Sequence, residues 1–274
     1  MSEATVVGGA LVPGMPHLLA ASPAPSWKRL AEAVLEVGSR LRAANPDAVL
    51  LLSTQWFTVL GHQVQLDPNP RGQRTDENWY AYDFGHLDYD LRTDTALAEA
   101  WAAEIDTVGM QARRTHYEHF PIDTGTVVAS RLLDPDRTLP MAQVSCNLYA
   151  DADALFRVGA AGVAAARRLG RRIAVVGVSG LSSGLTPRWI SPKEDEISDP
   201  AHEQWNSRLL GLLAAGDLAA ALDLREAYSR AAAADSQLRV LPWLVGAEGA
   251  VGPGEVLASG PIWGTGAAVV HWPA

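Results

Sequence analysis

Four short segments carry residue types that could do chemistry, and each reads as the end of a strand. The first is Val12-Pro13-Gly14-Met15-Pro16-His17. Two prolines and a glycine set a turn, and His17 stands at its tip, where a rigidly held imidazole can act as metal ligand or base. A lone histidine is more often structural than functional. The second is Ser53-Thr54-Gln55-Trp56. The Gln55 amide can hydrogen-bond, but it is a poor ligand for a divalent metal and reads as a polar plug or turn residue. The third runs from Thr115 to Gly125 and places His116, Glu118 and His119 within four positions. That spacing matches no strong zinc or iron signature, and no helix is evident before Pro121 to set two histidines on one face. The fourth is Gly177-Val178-Ser179-Gly180-Leu181-Ser182-Ser183-Gly184. Its glycines are wrongly spaced for a nucleophile elbow, no helix follows immediately and no Asp-then-His order fits downstream, which argues against a serine hydrolase. Gly264-Thr265-Gly266 is not followed by a long helix, so a phosphate cradle is equally unsupported.

The elements that must hold these segments alternate between β-type and helical patterns. Residues 5–12, 48–53, 62–66, 140–145 and 172–178 read as strands, with 255–259 and 267–271 as closing candidates. Several are continuous apolar runs, as expected for strands buried on both faces. Helical periodicity covers residues 26–44 with Ser26 as the cap, 93–105, 151–169 capped by Asp151, and nearly all of 199–247. The stretch Asp67 to Asp90 is polar, aromatic and irregular, and reads as a long loop. The pattern predicts an α/β fold, with a central mixed sheet covered by helices. There is no repeat, low-complexity tail or clear linker, so residues 1–274 are expected to form one domain. In open sheets of this kind, sites form where strands end and loops begin.

Composition excludes some classes. The 274 residues are 48% hydrophobic and 19% charged, with a formal net charge of −9. An acidic chain without clustered Lys and Arg is not built for nucleic acid. The doublets Arg167-Arg168 and Arg171-Arg172 read as a solvated helix end. No apolar run reaches the roughly 20 residues of a membrane span, and the N-terminus lacks a signal-peptide pattern. The single cysteine, Cys146, cannot form an intrachain disulfide and lies in an apolar run, so it reads as core in a reducing cytoplasm.

Taken in order, the segments resemble the class III extradiol ring-cleavage dioxygenases, the LigB-like family. Pro13 to His17 resembles the loop of the first iron-ligand histidine. Ser53-Thr54-Gln55-Trp56 resembles Ser-x-His-Trp, where the His is the second ligand. Pro121 to Gly125 resembles the family's Leu-Asp-His-Gly, and Gly180 to Ser183 its Gly-Leu-Ser-His. Asp199-Pro200-Ala201 to Trp205 and Trp263 to Gly266 complete the match over most of the chain.

The departures are as informative as the matches. Gln55 stands at the second ligand, Thr124 at the pocket histidine and Ser183 at the acid/base histidine. The third ligand, a Glu before a Trp-containing helix, falls on Gln237 to Arg239, and Asp235 is the only carboxylate between Ala227 and Ala247. Non-haem Fe(II) chemistry needs two histidines and a carboxylate on one face, and proton transfer needs a titratable agent. His17, Gln55, Thr124, Ser183 and Gln237 are therefore expected to line a vestigial pocket, with neither a metal nor a catalytic role.

The resemblance implies an α-type subunit of the family's two-subunit aminophenol dioxygenases. Fe(II) would then belong to a homologous catalytic β-type partner, and the complex would act on an aminophenol or catechol-type aromatic. Two alternatives remain open at this stage. One is a self-sufficient enzyme with a new ligand set drawn from His17, His62, His116 or His119, or with metal-free acid/base chemistry at His17. The other is a binding module using the old cleft, lined by aromatics such as Trp56, Phe57, Trp79, Tyr80 and Tyr82. Three further expectations are a cleft where the strands carrying His17, Gln55 and Ser183 end, little stability loss on His17→Ala, and a subunit interface at the aromatic loop of residues 67–90.

Overall fold

The computed structural model describes residues 5–75, 86–117, 120–183 and 191–274. The chain opens with β1 (Val6–Val12), α1 (Pro25–Ala43), β2 (Ala48–Thr58) and the short β3 (His62–Gln65). A two-stranded arm follows, β4 (Arg71–Thr75) with β5 (His86–Asp90), and then α2 (Thr95–Thr107), β6 (Ala112–Thr115) and α3 (Thr124–Leu133). Strand–helix alternation resumes with β7 (Met141–Asn147), α4 (Ala152–Arg168) and β8 (Ile173–Val178). The helices α5 (Pro200–Ala215), α6 (Leu218–Ala232) and α7 (Val240–Gly246) precede the hairpin β9 (Glu255–Ile262) and β10 (Thr265–Pro273).

Eight of these strands form one mixed sheet in the order β6-β3-β7-β2-β8-β1-β10-β9. The apolar runs of the sequence supply its centre: β7, β2, β8 and β1 are mutually parallel neighbours, and β10 joins β1 antiparallel. Because side chains alternate along a strand, each central strand feeds two cores. Leu50 and Leu52 of β2 pack with α2, α4 and α7 on one face, while Leu51 packs with α1 and α3 on the other. The first strand of the sheet lies beside the last, so both ends of the chain enter one α/β domain. Among the described residues, no helix is long and apolar enough to cross a membrane.

Several sequence expectations need correction. Ser26 does not cap α1; the cap position is Ala24, and Pro25 occupies the first turn, where its missing N–H costs nothing. Residues 67–90 are not a plain loop, since β4 and β5 pair along Arg71↔Asp90 to Thr75↔His86. Tyr89, one of the aromatics of the stretch expected to form the subunit interface, is buried against Gly72 and hydrogen-bonded by the Ile122 N–H. Trp79, Tyr80, Tyr82 and Phe84 lie outside the described residues. β6 and α3 were not read from sequence at all. Other expectations stand. Asp151 caps α4 by accepting from the Ala154 N–H at 2.8 Å. Cys146 is fully buried, and burial pushes its thiol up to about 12. Arg167 and Arg168 pair with Glu248 and Glu104 at the solvated end of α4.

Candidate functional site

The parallel strands β1, β8, β2 and β7 all end at one edge of the sheet, which brings together the segments at Gly14, Gln55 and Ser179, and the start of α3 joins them through Asp123 and Gly125. The pairing of β2 with β7 loses register between Ser53 and Phe57, so the irregularity falls on the segment carrying Gln55. Such bulges re-aim side chains and concentrate near functional sites.

Alternation along β2 sends successive side chains to opposite faces. Ser53 Oγ donates to Asp123 on the α3 side at 2.6 Å. Thr54 Oγ1 lies 2.9 Å from Asp235 on the α7 side. Gln55 returns to the first face, where Nε2 donates to the Gly14 carbonyl at 3.1 Å. Gly14 and Gly125 make this contact possible. A Cβ on Gly14 would stand 2.5 Å from the Gly125 Cα, and one on Gly125 would stand 2.8 Å from Ser53 Oγ. The Gln55 amide therefore sits in a closely packed junction between two loops.

Two carboxylates organise the edge, and sequence reading gave neither a role. Asp123 caps α3 by accepting from the Thr126 N–H at 2.9 Å, and it also accepts from Ser53 Oγ, Thr126 Oγ1 and Gln143 Nε2. Asp235 accepts from the Gly180 N–H at 2.7 Å and lies within hydrogen-bond distance of the Thr54 and Ser179 hydroxyls. These bonds tie the ends of β2 and β8 to the turn before α7. The Asx-cap signal at Asp123-Thr124 was legible in the sequence. Asp235 carries no local signature, because the donors it gathers at the strand ends, Thr54, Ser179 and Gly180, are more than 50 residues away.

The singled-out residues divide as follows. His17 lies in a short 3-10 turn, 7% exposed, with its ring edge-on to Trp27 at 4.7 Å and stacked on Trp263 at 5.9 Å. Burial lowers its pKa to about 4, so the imidazole is neutral at pH 7. Thr124 begins α3 beside Gly125 and is half-buried. Ser183 donates both its N–H and its hydroxyl to the Ala233 carbonyl. Gln237 is exposed. It lies in a run of three non-glycine residues, Ser236 to Leu238, with φ of 46°, 55° and 52°. Left-handed backbone at such positions costs about 1 to 3 kcal/mol each. Arg239 is buried, and its guanidinium donates to the carbonyls of Ser236, Leu148 and Ala150. His62 is buried as well and lowered to about 4, whereas His116 is exposed and meets the Leu66 carbonyl. Glu118, His119 and Gly184 lie outside the described residues. Trp263 and Gly264, both at positive φ, form the tight turn between β9 and β10, which disposes of a phosphate cradle there.

The strands that precede His17, Gln55 and Ser183 run parallel and end at the same edge of the sheet. The expected insensitivity to His17→Ala does not fit the burial of the ring. Removing an imidazole packed between two indoles should cost roughly 2 kcal/mol, in line with other buried truncations. Chemical denaturation would read this, and a midpoint unchanged from wild type would contradict the packing.

The chain's match to the family model for the catalytic LigB subunit of aromatic ring-opening dioxygenase spans residues 12–267. The chain belongs to this family. It is 38% identical, over 98% of its own length and 99% of the relative's, to the 2-aminophenol 1,6-dioxygenase alpha subunit of a Pseudomonas species. It is 22% identical to the beta subunit of a 2-aminophenol 1,6-dioxygenase from Pseudomonas, over 99% of this chain and 95% of the relative. A crystal structure of an uncharacterized Escherichia coli K12 protein shares the fold with a TM-score of 0.65 at 19% identity, covering 89% of this chain and 92% of that one.

The iron face of a LigB-type enzyme does not fit the residues present here. His17 is enclosed between two indoles, and Gln55 spends its amide on a backbone carbonyl. Positions 237–239 offer an exposed amide, a buried leucine and a buried cation. A guanidinium opposes a divalent metal by charge, and it cannot be deprotonated in a protein. Among the described residues, no three His, Cys, Asp or Glu side chains are grouped where they could hold a metal ion.

Proposed function

We propose that this chain is a non-catalytic α-type subunit of a hetero-oligomeric extradiol ring-cleavage dioxygenase. A homologous β-type subunit holds the Fe(II) and performs the cleavage, and the substrate is an aminophenol or catechol-type aromatic. The kinship supports this reading, because relatives named as alpha and beta subunits both match over nearly the whole chain. The observation that carries it is the pair Gln55 and Arg239: one engages Gly14, and the other fills the third-ligand region with a carbonyl-bound cation. A ligand set of two histidines and one carboxylate cannot be assembled around them.

What remains for such a subunit is structural, namely to present a folded surface that stabilises its partner. The test is co-expression with a homologous chain that retains both histidines and the glutamate. The complex should cleave 2-aminophenol or catechol, and this chain alone, loaded anaerobically with Fe(II), should not. Turnover by the isolated chain at a rate near that of the complex would overturn the proposal.

A further inference from the structure

One enclosed, largely apolar cavity lies away from the strand-end edge. It holds about 330 Å³ and lies between β5, α3 and the chain leading from α3 into β7. Its floor is aliphatic, formed by Val49 and Leu51 of β2 with Val127 of α3 and Met141 of β7. Leu91 and Leu139 close the sides, and Tyr89 adds an aromatic wall. None of His17, Gln55, Thr124, Ser183 or Gln237 lines it. The volume is at the small end for ligand sites and suits one aromatic ring or a short acyl chain.

The polar groups around this chamber are unequally engaged. Three aspartates line it, and each already has partners. Asp90 pairs with Arg71 and Arg137, and Asp88 accepts from Gln73. Asp134 accepts from the Thr138 hydroxyl and the Leu139 N–H. Of the three lining arginines, Arg137 is the one paired with Asp90, and the other two are less committed. Among the described residues, exposed Arg92 has no ion pair or side-chain hydrogen bond, and Arg131 donates only to the Asp88 backbone carbonyl. Ser130 also stands in the wall, and its buried Oγ has no hydrogen-bond partner among the described residues. An unmet buried hydroxyl beside an apolar chamber is a group that a ligand can satisfy.

We propose that this cavity is a binding site for a small amphipathic monocarboxylate. The apolar body fills the chamber between β2 and α3. The carboxylate accepts from the Arg92 and Arg131 guanidinium groups at the mouth, with Ser130 as a further donor. Guanidinium groups bind carboxylates through charge-assisted, often paired hydrogen bonds, whereas a neutral ligand of the same shape gains only the apolar contacts. The site is independent of the iron question, because it lies on residues that the strand-end edge does not use.

Benzoate and hexanoate titrated into the full chain by calorimetry or ligand-observed NMR test this, with benzyl alcohol as the neutral counterpart. Saturable binding of at least one carboxylate is expected, and which of the two binds tighter shows whether a ring or an acyl chain fits. The double variant Arg92→Gln/Arg131→Gln changes only exposed side chains. It should weaken carboxylate binding at least about tenfold while leaving benzyl alcohol within about twofold. Leu139→Trp, which fills the chamber, should abolish both. The proposal fails if neither acid saturates below about 10 mM. It also fails if the double arginine variant binds benzoate as wild type does, or if binding survives Leu139→Trp in a folded chain. A cavity that binds no acid but is shielded when a partner subunit is added would be a protein-docking pocket, which also overturns the proposal.

Discussion

Acidification from pH 7 to pH 5 should destabilise the isolated chain by about 4 kcal/mol, given two buried histidines that resist protonation. His17 and His62 are each lowered from 6.5 to about 4, and desolvation is the cause in both. Above pH 6.5 neither the folded nor the unfolded chain carries these protons, so the full stability is present. Between pH 6.5 and about 4 the unfolded chain takes them up and the folded chain does not, and stability falls with pH. Below about 4 both states are protonated and the loss levels off. Each histidine contributes about 2 kcal/mol at pH 5 on this arithmetic, as an order of magnitude. Urea denaturation at stepped pH reads the slope. His17→Gln should remove about half of it, and an unchanged slope in His17→Gln/His62→Gln would show that other groups set the acid sensitivity.

Asp123→Ala should be among the most damaging single substitutions at the strand-end edge, costing about 3 kcal/mol or more. The carboxylate caps α3 and gathers donors from Ser53 on β2 and Gln143 on β7. Truncation removes the cap and leaves buried hydroxyl and amide groups unpaired, which costs more than the bonds themselves. Asp123→Asn keeps an acceptor for the Thr126 N–H and should cost roughly half as much. Thermal and urea unfolding of the two variants would give the order. A loss below about 1 kcal/mol for Asp123→Ala would mean that water replaces the network.

Much of the fold was legible because the central strands are apolar on both faces. Residues 48–52 and 173–178 admit little else, and helices such as α4 carry caps and a clear apolar stripe. What escaped was short or polar. β6 reads Ala-Arg-Arg-Thr and is a strand only because β3 lies beside it. The β4–β5 arm is polar on most positions and is fixed by cross-strand pairing. α3 was hidden by the proline shortly before it and the glycine in its first turn. At the site, the residue types at positions 17, 55, 124 and 183 could be read against the family pattern. The carboxylate network could not, because Asp235 meets Thr54 and Ser179 only through the tertiary fold. The burial of His17 was missed for the same reason: Trp27 is close in sequence, but Trp263 arrives from the far end of the chain.

A chain that cannot supply an iron face should leave the iron count of the complex to its partner. The complex with a homologous β-type subunit would be purified after anaerobic Fe(II) loading, and its iron counted against the two chains. One iron is expected for each pair of chains, all of it lost when the β-type subunit's ligand histidines are replaced. Two irons per pair, or iron retained after that replacement, would place a metal on this chain and overturn the non-catalytic reading.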